Sequence, residues 1–250
     1  MAKQTWKPGN MLYPLPAVMV SVTDGEGNDN IITVAWAGTV CTNPPMVSIS
    51  VRPTRFSYDM ICKTKEFVLN LTTEELAYAT DYCGVRSGRE VDKFQELHLT
   101  KEKADQVKAP MIGEAPVNIE CKVKKIEKLG SHHMFLAEVV AVHADEAYMD
   151  KNNKFQLNQS KLMVYSHGEY LGLGKKLGTF GYSVKKVVRK SVIFSLSAAE
   201  TVPSGSAAFG LYVDFAGLPV IVGACVITIS PLSSLWTVVL YTLDTVSFFL

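Results

Sequence analysis

Short apolar runs that alternate with polar residues dominate the chain before Lys190. Residues 17–23, AVMVSVT, are rich in β-formers and alternate from Val18 to Val22, the two-residue period of a strand. The turn-forming run DGEGNDN follows, and IITVAWAGTV beyond it predicts a second strand. Asn-Pro-Pro interrupts the chain before MVSISV, a third strand, and EFVLNL gives a fourth. In VNIECKVKKIEKL, Val117, Ile119, Cys121 and Val123 alternate with polar partners; the turn LGSH then leads into HMFLAEVVAVHAD, so a hairpin is expected. KLMVYSH is a last strand candidate. Helices are fewer and short. FSYDMICKT follows the third strand, TTEELAYATDY opens with threonine caps and glutamates that resemble a capping box, and REVDKFQEL is a third candidate. Many short strands with no βαβ alternation predict a mainly β fold with a few short helices, an antiparallel barrel rather than a doubly wound sheet.

The pattern changes at Lys190. Every Lys and Arg lies at or before that position, and from Ser191 to Leu250 the only charges are Glu200, Asp214 and Asp244. We therefore expect a domain over residues 1–190 and an atypical apolar extension over 191–250. Phe215 to Leu243 carries no charge and is long enough to span a bilayer, although Pro219 and Pro231 interrupt it. Three readings of this tail stay open: a membrane segment, extra strands or a partner-facing extension, and a sequence foreign to the domain before it. Membrane contact is expected only through this tail.

Net charge narrows the partners. With 25 basic and 24 acidic residues the chain stands at +1, so no global field suits nucleic acid and cationic chemistry has to be local. The five cysteines show no CxxC spacing and no even framework, which predicts reduced thiols, and with no signal peptide at the N-terminus a cytoplasmic protein. Cys83, just before Gly84, reads either as an exposed reactive thiol or as a structural one. No metal site is expected: His132 and His133 are adjacent and point to opposite faces of a strand, and His143 and His167 stand alone in the sequence. The glycines of GEYLGLGKKLGTFG lack the spacing of a dinucleotide or P-loop fingerprint.

One stretch carries a candidate anion site. In SVRPTRFSYDMI, residues 50–61, a strand end feeds a helix start, where free backbone amides and the helix dipole favour negative charge. Arg52 and Arg55 add two forks suited to phosphate, and Ser50, Thr54 and Ser57 add hydroxyls. The plain alternative is a solvated arginine pair at a helix end. The preceding strand sets Trp36 among Ala35, Ala37 and Gly38. Small residues let a flat ligand approach the backbone and an indole covers an aromatic face, while a core tryptophan is the plain alternative. A flat heteroaromatic ring with a phosphate tail satisfies both features.

Three stretches, NIITVAWAGTVCTNPPMVSISVRPTRFSYDMI, EFVLNLTTEELAYATDYCGVRSGREVDKF and SHGEYLGLGKKLGTFGYS, resemble the flavin reductase-like family with the FMN-binding split-barrel fold, nearest to its flavoredoxin-type branch. The resemblance covers roughly residues 10–186. It implies an antiparallel Greek-key split β-barrel, a homodimer and one FMN per subunit. By residue, it implies Asn30, Thr33 and Trp36 at the ring edge, and Ser50, Val51, Arg52, Ser57 and Tyr58 around the ribityl phosphate, with Phe56 beside them. Lys93, His132 and Tyr165 match positions that approach the cofactor, and Cys41 lies close to the flavin strand. The implied activity is an oxidoreductase passing electrons between NAD(P)H and flavin or a further acceptor. The alternative is a non-enzymatic carrier that shuttles electrons between redox proteins through bound FMN. No catalytic residue is singled out.

Overall fold

The computed structural model describes residues 1–184 together with 212–215 and 218–221. The chain divides into two units, Met1–Tyr182 and Ser183–Leu250. The first contains β1 (Leu15–Pro16), β2 (Val18–Thr23), β3 (Asp29–Val34), β4 (Ala37–Cys41), β5 (Met46–Val51), α1 (Phe56–Thr64), β6 (Glu66–Leu71), α2 (Ala77–Val85) and α3 (Lys93–Glu96). It continues through β7 (Lys101–Glu102), β8 (Met111–Ile112), β9 (Val117–Lys128), β10 (His133–Ala144), β11 (Met163–Ser166) and β12 (Glu169–Gly172). In the second unit β13 (Tyr212–Phe215) and β14 (Leu218–Ile221) pair as an antiparallel hairpin. Most of the apolar tail, and with it the expectation of a membrane span there, falls outside the described residues. Among those described, no helix is long and apolar enough to cross a membrane.

The main sheet is antiparallel, in the order β3-β2-β6-β9-β10-β5-β4. Its two edges are neighbours in the chain, because only Ala35 and Trp36 separate β3 from β4. Seven flat strands at ~4.8 Å spacing put the edges about 29 Å apart, yet the three Cα steps from Val34 to Ala37 reach at most about 11 Å. The sheet must therefore curl until its edges meet. No ladder joins β3 to β4 among the described residues, so the curl ends in a seam: the split barrel expected from the sequence, with mainly β content and three short helices.

Alternation explains the core. On β5, Val47, Ile49 and Val51 point inward while Met46, Ser48 and Ser50 stay half exposed. Val18, Val20 and Val22 of β2 meet them in one cluster with Phe67, Leu69 and Phe135. β2 is buried along its whole length, because its other face is covered too. There Met19 packs with Ile31, Leu76, Cys83 and Phe94, which seats α2 and α3 against β2 and β3.

The outer face of β6 and β9 is covered by residues 104–112, and two buried polar side chains tie that segment down. Asn70 accepts from the Ile112 amide (3.0 Å) and from Asn118 Nδ2 (2.8 Å). Glu120, fully buried, accepts from the amides of Asp105, Gln106 and Val107 at 2.9, 2.6 and 2.9 Å and pairs with His143 Nε2 at 2.6 Å. His143, alone in the sequence, is brought to Glu120 by the β9–β10 hairpin. Asp105 Oδ2 lies 3.9 Å from the same imidazole. Both Glu120 oxygens are already taken by amides and imidazole, so the trio reads as a buried anion anchoring a loop.

Three elements depart from expectation. The run IITVAWAGTV is two strands that bend apart at Ala35–Trp36. The helix expected from Thr72 starts at Ala77, because Thr73 bridges Leu162 and the Glu74 amide donates to Lys161 O (2.9 Å). Within the glycine-rich stretch, Glu169–Gly172 forms β12 against β11.

Candidate functional site

The seam, the start of α1 and the connector between α2 and α3 enclose one cavity of about 320 Å³. The sequence makes the α1 start receptive. Arg52-Pro53-Thr54-Arg55 closes a turn, with the Arg55 amide donating to Arg52 O at 3.0 Å. Arg55 is the N-cap and caps nothing with its side chain, so the first amides of α1 have no side-chain acceptor and the positive end of the helix faces the turn. Thr54 and Ser57 add hydroxyls to the lining.

Across the cavity, α2 ends at Val85 and the chain runs Arg86-Ser87-Gly88-Arg89 along the wall. Arg89 reaches back to the opposite turn. Its Nη1 donates to Thr54 O at 3.3 Å, and its guanidinium lies 5.4 Å from the Phe56 ring centroid. Gly88 is pressed against the floor: a Cβ there would sit 2.3 Å from Asn30 Oδ1 and 2.6 Å from Phe56 Cδ1. Only glycine permits that approach. Asn30, itself buried, donates from Nδ2 to Ser57 Oγ at 2.9 Å and so links β3 to α1.

Lys93 enters from α3. Only 3% of it is exposed, and Nζ donates to Ile31 O (2.6 Å) and Cys83 O (2.8 Å). Burial lowers its pKa to about 8, and nearby Arg55 pushes the same way; at neutral pH it remains mostly protonated. Cys83 is buried beneath the same wall, and burial pushes its thiol up to about 11. The structural reading of this cysteine therefore holds over the reactive one.

Of the residues singled out in the sequence, Asn30, Arg52, Thr54, Arg55, Phe56, Ser57, Cys83 and Lys93 line this cavity. Trp36 and Ser50 line a second, more apolar one of about 600 Å³, walled by residues 9–13 and by Ala37, Gly38 and Ser48. The two cavities are neighbours along the chain, since Ser50 of β5 and Arg52 just beyond its end lie two residues apart. Trp36, 40% exposed, lies parallel to His132, with ring centroids 6.0 Å apart and planes 7° from parallel. Burial, then the charges of Arg52 and Arg55, hold the His132 imidazole below its ordinary pKa.

The remaining candidates lie elsewhere. Thr33 spends its hydroxyl on Thr80 O (2.5 Å), and Val51 points into the core. Tyr58 bonds His133 Nδ1 at 2.6 Å and packs on Phe135. Cys41 ends β4 and lines neither cavity, while Tyr165 stands behind the second cavity, against the edge of Tyr13 and paired with Leu15 across β1–β11. Sequence reasoning gave no weight to Arg86, Ser87, Gly88 or Arg89. The signal was present, because RSGR repeats the spacing and the internal hydroxyl of RPTR.

All four arginines among the described residues thus meet at one cavity: Arg52, Arg55, Arg86 and Arg89. No Asp or Glu lines it, and none of the four makes an ion pair among those residues. Guanidinium forks, hydroxyls and an uncapped helix start together fit a phosphate-bearing ligand.

The comparisons agree with this architecture. The chain is similar to flavoredoxin of Desulfovibrio vulgaris (Miyazaki F), 28% identical with a TM-score of 0.69 over 74% of this chain and 100% of that one. It is similar to flavoredoxin from Methanosarcina acetivorans, 25% identical with a TM-score of 0.65 over 74% and 100% of the two chains. An uncharacterised protein of Archaeoglobus fulgidus is 29% identical over 158 residues, 63% of this chain and 87% of that protein. Residues 11–174 match the family described as the flavin reductase like domain, and the chain belongs to that family.

Proposed function

We propose that the protein binds FMN and works as a flavin reductase-type oxidoreductase that takes electrons from NAD(P)H. One observation carries the reading: every described arginine, unpaired, lines one cavity of a flavin reductase-like fold. FMN, when bound, supplies the electron-accepting ring. The chain's part is to hold and orient it. Arg52, Ser57 and the first amides of α1 take the terminal phosphate, with Phe56 and Asn30 fixing that end of the cavity. From there the outer face of β5 leads past Ser50 toward Trp36 and His132, about 13 Å for the four residues from Arg52 to Ser48. We place the ring along that path, where Ala37 and Gly38 leave the strand open. Lys93 is the buried cation nearest the floor, suited to charge that gathers on the bound ligand.

A homodimer closing over the exposed edge strand β4, in the cytoplasm, belongs to the same proposal. So does the division of labour along the chain. Cutting after residue 190 should leave a protein that still takes up one FMN per chain, measured by absorbance after gel filtration. Loss of the flavin on cutting would show that the tail takes part in the site.

A second reading has a specific observation behind it, the similarity to two proteins named flavoredoxin: an electron carrier that holds FMN and meets protein partners. Rapid mixing separates the two. The reductase reading expects the flavin absorbance near 450 nm to bleach on mixing the loaded protein with NADH or NADPH. Flavin left oxidised by both, yet bleached by a reduced redox protein, would establish the carrier instead.

A further inference from the structure

The cavity holds more positive charge than one flavin phosphate requires. A terminal phosphate carries about two negative charges at neutral pH. Against it stand four guanidiniums, which stay charged throughout the accessible pH range, and the buried ammonium of Lys93. The surplus is built in two halves. Arg52 and Arg55 belong to the β5–α1 turn, with the open start of α1 between them and Ser57. Arg86 and Arg89 belong to the α2–α3 connector, spaced like the first pair and also enclosing a hydroxyl, that of Ser87. The duties an arginine usually performs at such a place are not performed by Arg86. It follows the C-terminus of α2, its amide donating to Tyr82 O at 2.9 Å, yet its side chain bonds none of the last carbonyls and pairs with no acid among the described residues. Like charges held together without counter-charge repel one another, so a fold that gathers all its described arginines around one cavity has a use for anions there.

We propose that the connector half, Arg86 with Ser87 and Arg89, takes a second phosphoryl group beside the one on the flavin. This rests on the flavin reading above and extends it. The ligand is a nucleotide with a phosphate beyond that of FMN. Two sources share this chemistry: the 2′-phosphate of a phosphorylated nicotinamide dinucleotide, and the adenylate arm of an adenylated flavin. Arg89 lies between the halves because it reaches Thr54 O, whereas Arg86 belongs to the connector alone, which makes it the residue that separates the sites.

Calorimetric titration of the full chain tests this in two arms. FMN-loaded protein is titrated with adenosine 2′,5′-bisphosphate and with 5′-AMP; flavin-free protein is titrated with FAD and with FMN. The proposal expects one arm to show a preference for the extra phosphate of about tenfold or more, the strength of a charge-assisted pair. Arg86→Ala should erase that preference while FMN affinity falls by a smaller factor. A preference in the first arm identifies the nicotinamide 2′-phosphate as the source, and one in the second identifies the flavin's own adenylate. No preference in either arm overturns the proposal, as does an Arg86→Ala variant, folded by circular dichroism, that weakens FMN as much as the bisphosphate or FAD. The failure of the flavin reading looks different: a protein that takes up no FMN yet binds the bisphosphate in preference to 5′-AMP keeps the phosphate site and loses the flavin.

Discussion

Glu120→Gln should cost about 3–5 kcal/mol of folding stability, the range for removing one partner of a buried charged network. The carboxylate accepts three amides and contacts His143 directly. Glutamine keeps one acceptor and turns the other into a donor, so an NH2 meets N–H groups from the chain or from the imidazole whichever way it is flipped. Urea unfolding should show a lower midpoint with an unchanged slope. The same site gives a sign for pH. Burial raises the pKa of Glu120, but the amides and His143 outweigh it and hold it below the ordinary 4.5. A carboxylate with a depressed folded pKa contributes fully above its unfolded value and loses that contribution as pH falls through the folded one. Acid should therefore destabilise the native protein below about pH 4.5, and Glu120→Gln should flatten that part of the profile. A variant with the native midpoint would show that the loop over 104–112 does not depend on the anion.

Arg52→Ala is expected to weaken FMN binding by about 1.5–3 kcal/mol, the worth of hydrogen bonds to a charged group, or about 10- to 150-fold in Kd. Arg52 is exposed at the cavity rim, so the folded state should not suffer. Riboflavin, which lacks the phosphate, supplies the control: its affinity should change far less. Equal losses for FMN and riboflavin would move Arg52 from the phosphate to the ring, and an unchanged FMN affinity would remove it from the site.

The strands were legible because their alternation is local and the core takes it at face value: Val47, Ile49 and Val51 point inward as their spacing demands. Errors came where a partner distant in sequence overrode local preference. Thr72 to Glu75 carries helix-starting chemistry, but the segment around Lys161 and Leu162 claims it as an extended edge. The bend at Ala35–Trp36 has no turn residue to announce it. Its cause is global, the need to carry the chain from one edge of a curled sheet to the other. The cavity was half legible. RPTR stands between a strand and a helix and could be read in place, whereas RSGR gains its meaning only when α2 folds back on β3. Tyr58 follows Ser57 in sequence, but one step along a helix turns a side chain by about 100°, enough to send it to His133.

All the cationic residues of the cavity lie between Arg52 and Lys93, in the first half of the chain, yet one of the two strands that flank β5 comes from the second half. β5, which ends one residue before Arg52, pairs only with β4 and β10, and β10 runs to Ala144. During synthesis the arginines leave the ribosome well before β10, the strand that completes the pairing of β5. On the proposed FMN reading, uptake is expected only once the β9–β10 hairpin is complete, so a nascent chain stalled short of it should carry every charge of the cavity and no flavin.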